Sequence, residues 1–243
     1  MKFGEFLDKA FFYLSVPKCV SCKERLSITE TALCNDCLKK ADEASLRGCP
    51  VCLKPILQCL CVNRHLESHF VKGHIKLYKY GADENSKPYD ALVYAIKRGD
   101  REDLFDFLAE RLADAVIKHG VKLDNTVITN VPRRKSAILR FGLDHAKLLA
   151  ERVAKRLGID YVELLKSSAK TAQKALKGAE RISNTDFSVF CEMDLTGKRV
   201  IILDDIVTTG ASMGSAATLV RSMGAKSILA LSVGYAYKHI TKE

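Results

Sequence analysis

The sequence lacks any long hydrophobic run. No apolar stretch approaches the roughly 20 residues that a bilayer-spanning helix needs, and charged residues interrupt the apolar stretch from Phe3 to Leu14. A signal-peptide core is missing as well. The hydrophobic content of 47% and the charged content of 28% are typical of a soluble globular protein. We therefore expect a cytoplasmic chain without membrane insertion.

Acidic residues are in deficit, because 29 acidic residues stand against 39 lysines and arginines and leave a net charge of +10. Such a charge attracts nucleic acid, phosphorylated metabolites or anionic lipid, and it does not choose among them. The interleaved aromatic residues on which single-strand binders stack bases are also lacking. The pattern of Tyr78, Tyr80, Tyr89 and Tyr94 is typical of strand and helix packing.

Cysteine is confined almost entirely to one region, since eight of the nine cysteines lie between Cys19 and Cys61. This asymmetry predicts two domains. Residues 1–66 would form an N-terminal helix and a double zinc ribbon, and residues 67–243 would form the second domain. The ninth cysteine, Cys191, is predicted to pack as a small hydrophobic strand residue.

The first cysteines come as two Cys-x-x-Cys pairs, a spacing that lets four thiolates complete the tetrahedral shell of one zinc ion. The four residues are Cys19, Cys22, Cys34 and Cys37. A disulfide framework is the alternative, and it is disfavoured because the cytoplasm keeps thiols reduced.

The second group of cysteines is less regular, because its last pair is one residue short of Cys-x-x-Cys. It comprises Cys49, Cys52, Cys59 and Cys61. We predict a second zinc site here, with two alternatives open: interleaved pairing of the cysteines, or replacement of a ligand by His65 or His69. Four thiolates leave no open coordination position, so both zinc ions are expected to be structural.

Strand and helix patterns alternate after the cysteine region, which predicts an α/β fold with a parallel sheet and crossover helices. Predicted strands cover 70–80, 127–131, 161–165, 187–191, 200–203 and 227–233. Predicted helices cover 90–97, 104–119, 144–157 and 215–223.

The most informative segment runs from Val200 to Ser212. An apolar strand ends in two carboxylates, which can accept charge-assisted hydrogen bonds from a pair of ribose hydroxyls. A small, hydroxyl-rich turn follows and opens a helix whose N-terminal amides and dipole favour an anion. The residues concerned are Asp204, Asp205, Thr208, Thr209, Gly210, Ala211 and Ser212. A strand with two capping aspartates is the alternative, and it does not explain the composition of the turn.

This segment resembles the phosphoribosyl pyrophosphate (PRPP) signature of type I phosphoribosyltransferases. A second strand ends in Arg133 and Arg134, at the sheet edge where parallel folds bind ligands, and these cations could engage pyrophosphate. The basic stretch from Lys166 to Arg181 is interpreted as a lid over a polyanion. The alternatives are a solvated basic loop and a surface helix.

Taken in order, these elements resemble the ComF family of competence-associated proteins, in which a double zinc ribbon precedes a phosphoribosyltransferase-like domain. Besides the cysteines and the PRPP segment, the resemblance is carried by Ile96–Asp100, Val131-Pro132, Thr171, Gln173, Leu176, Arg181, Asn184 and Phe187. One segment departs from the family pattern Arg-Gly-Phe-Asn-Gln-Ala. It reads Phe141-Gly-Leu-Asp-His-Ala146, and it places the carboxylate of Asp144 where an amide is usual.

The resemblance implies Mg²⁺-dependent binding of PRPP, with Asp204 and Asp205 as the catalytic residues that hold the ribose hydroxyls. Residues 208–212 would hold the 5′-phosphate, and Arg133 with Arg134 would stabilise departing pyrophosphate. It also implies a link to uptake of transforming DNA. Three hypotheses stay open: a phosphoribosyltransferase with an unknown acceptor, a non-catalytic PRPP sensor that binds single-stranded DNA, and a zinc-decorated nucleobase-salvage enzyme.

Overall fold

The structure is a computed structural model. It describes residues 17–81, 84–99, 101–134, 138–139, 142–168 and 187–237. Several sequence predictions concern residues outside these ranges: the N-terminal helix, Asp100, Phe141, and most of the basic stretch with Thr171, Gln173, Leu176, Arg181 and Asn184.

The strands form one parallel sheet and one small antiparallel pair. They are β1 (Val71–Lys79), β2 (Thr126–Asn130), β3 (Asp160–Tyr161), β4 (Leu165–Ser167), β5 (Phe187–Val189), β6 (Arg199–Val207) and β7 (Ser227–Tyr235). The order in the main sheet is β1-β7-β6-β2-β3, and every neighbouring pair is parallel. The β4 and β5 strands pair antiparallel. The predicted α/β class with a parallel sheet is confirmed.

Six α-helices are described: α1 (Asn35–Leu46), α2 (Arg64–Ser68), α3 (Lys87–Arg98), α4 (Asp103–Lys118), α5 (His145–Leu157) and α6 (Ala211–Ser222). Short 3₁₀ turns cover Ile56–Gln58 and Glu84–Ser86. Local sequence explains two of the helix ends. The Asp144 side chain caps α5 by accepting a hydrogen bond from the Lys147 amide, and Gly99 ends α3 in the left-handed conformation. None of the described helices has the length and apolarity needed to cross a bilayer.

Some sequence predictions of elements were wrong in detail. The stretch predicted as one strand over 161–165 divides between β3 and β4, and helix α1 was not predicted. Cys191 lies beyond the end of β5 and is exposed, so it does not pack as a buried strand residue. Without a periodic apolar pattern, so short a strand carries too little signal to mark its ends.

The sheet is covered on both faces, and alternate residues of β6 face opposite layers. Ile201 and Leu203 belong to the core that contains α4 and α5, whereas Val200 and Ile202 belong to the core that contains α6. This alternation explains why the strand reads as a continuous apolar run. By the same alternation, the side chains of Asp204 and Asp205, the next two residues of β6, lie on opposite faces of the sheet.

The cysteine region packs against the same sheet. Arg101 donates from Nη1 to the Lys18 carbonyl at 2.6 Å and from Nη2 to the Thr31 carbonyl at 3.0 Å. At the outer edge of β1, the His74 amide donates to the Leu60 carbonyl at 3.1 Å. The two hydrophobic cores both include residues from before and after position 66. The division into domains at residues 66 and 67 stays a prediction.

Candidate functional site

The turn between β6 and α6 is the centre of the candidate site. Strand β6 continues past the two aspartates to Val207, so they lie within the strand and not at its tip as the sequence predicted. Gly210 has φ 86° and precedes α6. A Cβ at this position would lie 2.9 Å from Leu66 Cγ, so glycine is required by conformation and by space.

A concave pocket opens at this turn. Its lining consists of Asp204, Ile206, Val207, Thr208, Thr209, Gly210, Ala211, Ser212 and Met213. Thr208, Thr209 and Ser212 are exposed to solvent. The pocket therefore combines one carboxylate, several hydroxyls and the first amides of a helix of 12 residues, which is a suitable set of groups for a phosphorylated sugar. The sequence-predicted residues 208–212 are brought together here.

Asp205 faces away from this pocket. Its Oδ2 accepts a hydrogen bond from His145 Nε2 at 2.8 Å and lies 2.8 Å from Lys97 Nζ. The residue is 8% exposed. The side chains of the two neighbouring aspartates thus lie in different surroundings, and Asp204 is the one that lines the pocket.

A chain of hydrogen bonds defines the state of His145. Arg133 Nη1 donates to His145 Nδ1 at 2.8 Å. A guanidinium cannot accept a hydrogen bond, so Nδ1 must be the acceptor and the proton of the imidazole resides on Nε2. His145 is therefore a neutral donor to Asp205, and the hydrogen bond from Arg133 to its other ring nitrogen fixes the orientation of the ring.

The two carboxylates have opposite pKa shifts. Burial and the neighbouring charge of Asp205 raise the pKa of Asp204 well above its usual range. Burial acts in the same direction on Asp205, but the hydrogen bond from His145 and the charge of Lys97 outweigh it and lower the pKa of Asp205. The negative charge is concentrated on Asp205, and Asp204 is the carboxylate that would gain most from a nearby cation.

The loop after β2 reaches the same edge of the sheet. Arg133 is directed toward His145 and also donates to the Leu143 carbonyl at 3.3 Å, while Arg134 is exposed. The carboxylate of Asp144, which departs from the family pattern, accepts from the amides of Arg133 and Lys147. Its local role is to begin α5 and to fix this loop.

Sequence reasoning missed Lys97 and His145 as partners of Asp205. They come from the end of α3 and the start of α5, and no spacing pattern relates them to β6. The only available signal was that both lie in segments that the family resemblance quoted, one as a match and one as a departure.

The cysteines form two separate clusters, without interleaving. Cys19, Cys22, Cys34 and Cys37 form one cluster, and Cys49, Cys52, Cys59 and Cys61 form the other; in each, the sulfur atoms lie within 4.8 Å of one another. Cys22 Sγ and Cys34 Sγ are 3.6 Å apart. Four ligands at the usual zinc–sulfur distance have sulfurs about 3.8 Å apart, so the clusters fit structural zinc.

The first turns of the two clusters have the same backbone geometry. The Cys19 amide donates to the Glu24 carbonyl, and the Lys23 amide donates back to the Cys19 carbonyl. Cys49 makes the matching pair of bonds with Lys54 and Leu53. Lys23 and Leu53 both have positive φ, at 69° and 61°. The two turns therefore repeat one structural unit, in which two cysteines flank a short backbone loop.

The second cluster is held by polar groups that the sequence did not reveal. Lys76, which is 0% exposed, donates from Nζ to the carbonyls of Cys61 at 2.9 Å and Cys59 at 3.4 Å. Tyr237 donates to Cys49 Sγ at 3.5 Å. Within the described part of the chain, His65 belongs to neither cluster; its ring instead lies beside Gly214 of α6.

Comparisons with known proteins agree with this architecture. The model of the phosphoribosyl transferase domain matches residues 138–238, which include β6, the turn and α6. The chain therefore has the fold of a type I phosphoribosyltransferase.

Similarity to competence proteins extends over most of the chain. The chain is 24% identical over 210 residues to competence protein ComFC of Streptococcus pneumoniae, covering 84% of this chain and 88% of that protein. It is 25% identical over 226 residues to the DNA utilization protein YhgH of Salmonella typhimurium, and this alignment covers 88% of this chain and 96% of that protein. It is also 37% identical over 84 residues to ribose-phosphate pyrophosphokinase of Pyrococcus abyssi. This shorter alignment covers 34% of this chain and 25% of that protein. Over most of its length the chain is thus similar to proteins named for competence and DNA utilization, in agreement with the resemblance to the ComF family.

Proposed function

We propose that the pocket between β6 and α6 binds PRPP. The amides and hydroxyls of residues 208–212 hold the 5′-phosphate, and Asp204 accepts hydrogen bonds from the ribose hydroxyls. The observation that carries this proposal is the pocket itself, because it joins one carboxylate to a helix N-terminus in the segment matched by the phosphoribosyl transferase domain.

Asp205 and its partners form the second half of the proposed site. Lys97 and Arg133 place positive charge around Asp205, at the same edge of the sheet as the pocket, where Arg133 with Arg134 would stabilise pyrophosphate. Asp205, predicted from sequence as catalytic, is proposed here as a positioning residue, because it holds Lys97 and His145. Mg²⁺ prefers oxygen ligands; the poorly compensated carboxylate of Asp204 suits it, and the ion would neutralise pyrophosphate charge.

The proposed reaction is phosphoribosyl transfer. The bond from the anomeric carbon to pyrophosphate breaks, pyrophosphate leaves with the electron pair, and an acceptor atom forms the new bond. The transition state carries positive charge on the ring, as in glycoside cleavage. Asp204 lines the pocket, and its ionised carboxylate would stabilise that charge. The acceptor is not defined by any described residue.

A non-catalytic function is the second candidate. The net charge of +10 favours polyanions, and two relatives carry names that refer to competence and DNA utilization. In this proposal, PRPP binding signals to a surface that holds single-stranded DNA during uptake, in contact with the DNA-uptake machinery. Eight clustered thiols favour a reducing compartment for either function, and we propose the cytoplasm.

Calorimetry with PRPP, with and without Mg²⁺, tests the binding proposal. We expect binding that needs Mg²⁺ and is lost in Asp204→Asn. Asp160→Asn makes the same change at an exposed position of β3 and should bind like the wild type. Equal affinity in Asp204→Asn and the wild type would refute the proposed site.

A pyrophosphate-release assay separates the two functions. The protein is incubated with PRPP and Mg²⁺ and is offered a panel of nucleobases and single-stranded oligonucleotides. Release with one acceptor supports transfer. Binding of PRPP and of oligonucleotide without release supports the accessory function, and that DNA binding should weaken steeply as salt rises.

A further inference from the structure

Asn63 connects the second cysteine cluster to the turn that lines the pocket. The residue follows Cys61 by two positions and is 8% exposed. Its Oδ1 accepts from the Leu66 amide at 2.8 Å and so caps α2, while its Nδ2 donates to the Thr209 carbonyl at 3.0 Å. One buried side chain therefore bonds to both parts of the molecule.

Apolar packing reinforces this connection. Leu66 is 0% exposed, and its Cγ lies against Gly210. One turn further along α6, the His65 and His69 rings lie so close to Gly214 that a Cβ there would be 3.0 Å from His65 Nε2 and 3.1 Å from His69 Cγ. Helix α2 thus covers the outer side of the turn and the first part of α6.

The cluster side of the connection is also fixed. The Cys61 carbonyl accepts from the buried Lys76 ammonium, and the Cys61 amide donates to Cys59 Sγ at 3.3 Å. A metal ion bound by these thiolates would fix the same residues further. Asn63 lies two residues after Cys61, whose backbone is anchored by these hydrogen bonds. The position of the Asn63 side chain is therefore restricted.

We infer that Asn63 is a positioning residue that holds the turn in its ligand-binding conformation from the second cysteine cluster. The inference rests on the proposed function for its ligand, PRPP. A peptide group is planar, so anchoring the Thr209 carbonyl also fixes the direction of the Gly210 N–H. That amide belongs to the set proposed to hold the 5′-phosphate, and preorganised donors bind anions better than mobile ones.

The Asn63→Asp variant tests this inference. A carboxylate can still accept from the Leu66 amide and cap α2, but it cannot donate to the Thr209 carbonyl and repels it. We expect the dissociation constant for PRPP with Mg²⁺ to rise by about five- to tenfold. We also expect amide hydrogen exchange in the peptide covering 206–214 to accelerate by about fivefold without ligand.

Two further variants serve as controls. Asn63→Ser keeps an acceptor for the cap and adds no charge, but its shorter side chain lacks the amide group that donates to the Thr209 carbonyl. It should show the same two effects if loss of that hydrogen bond is responsible. Asn125→Asp makes the same change at an exposed residue just before β2 and should show neither effect. Zinc content is measured in each variant, because an unchanged value shows that the cluster itself is intact.

The outcomes separate this inference from the proposed function. Wild-type exchange rates and wild-type affinity in both Asn63 variants would overturn the inference. If the wild type binds no PRPP, the proposed function fails, and the exchange measurement still decides whether Asn63 holds the turn. Faster exchange together with loss of zinc would also overturn the inference, because the cluster and not the side chain would then hold the turn.

Discussion

His145 Nε2 lies 2.8 Å from Asp205 Oδ2, and both residues are almost completely buried. Since Arg133 donates to the other ring nitrogen, the imidazole enters this contact as a neutral donor. The charged carboxylate of Asp205 is therefore stabilised by one cation, Lys97, and by one hydrogen bond from a neutral donor, His145. These hydrogen bonds connect the loop after β2 to strand β6.

Replacing His145 tests the contact. In His145→Phe the Asp205 carboxylate loses a buried donor, so the free energy of unfolding should fall by about 1–3 kcal/mol. His145→Gln can donate from its amide and should lose less than half of that amount. Urea denaturation of both variants measures the difference, and equal losses would show that the hydrogen bond is not the cause.

The two aspartates should respond oppositely to neutralisation. Asp204→Asn removes a carboxylate that is destabilised by burial and by its neighbour, so the ligand-free protein should gain about 1 kcal/mol at pH 7. Asp205→Asn leaves Lys97 without its partner and should cost about 2 kcal/mol. Thermal and urea unfolding of the two variants provide the comparison. A loss of stability in Asp204→Asn would contradict the assigned direction of its pKa shift.

The pH dependence of stability follows from the same shifts. The lowered pKa of Asp205 contributes stability that is present above its unfolded value of about 4 and is lost as the pH falls through the folded value. The raised pKa of Asp204 has the opposite effect, so stability declines as the pH rises from about 4. Asp205→Asn should flatten the acid side of the profile, and Asp204→Asn should flatten the decline at higher pH.

Gly210 provides a test of the turn. An alanine there pays about 1–2 kcal/mol for the left-handed conformation and a further ~1–3 kcal/mol for its clash with Leu66. Gly81→Ala is the matched control, because Gly81 has φ 63° and no heavy atom within 4 Å of the added Cβ. Gly210→Ala should be the more destabilised variant and should bind PRPP more weakly. Similar stability in the two variants would rule out the packing against Leu66.

Metal content tests the two clusters. Elemental analysis of the purified protein should find about two zinc ions per chain, one for each set of four thiolates. Cys22→Ser should reduce this to about one. Cys191→Ser changes an exposed cysteine outside both clusters and should retain two. A protein purified with no zinc would contradict the ribbon assignment.

Strand β6 and the start of helix α6 were the elements most predictable from sequence. The apolar run before Asp204 indicates a strand buried on both faces, and the small turn residues with Gly210 indicate the start of a helix. The four-cysteine groups were also predictable, because ligand spacing is a local property. In each case the signal lies within a few consecutive residues.

The contacts between elements were not predictable. Lys97, His145 and Asp205 come from three separate elements, and the fold alone brings them together. Lys76 reads in the sequence as an ordinary charged strand residue, yet it is fully buried, and carbonyls of the cysteine region accept hydrogen bonds from its ammonium group. Such partners cannot be identified before the topology is known.

The cysteine region also covers part of one edge of the sheet. Strand β3, at one border, has only two residues, so it offers few unpaired backbone groups. At the other border, β1 is nine residues long, and the Leu60 carbonyl occupies its His74 amide. If the second cluster held no metal and this segment detached, the long edge of β1 would be exposed to pairing with strands of other chains. Metal-depleted protein would then be prone to aggregate by strand addition.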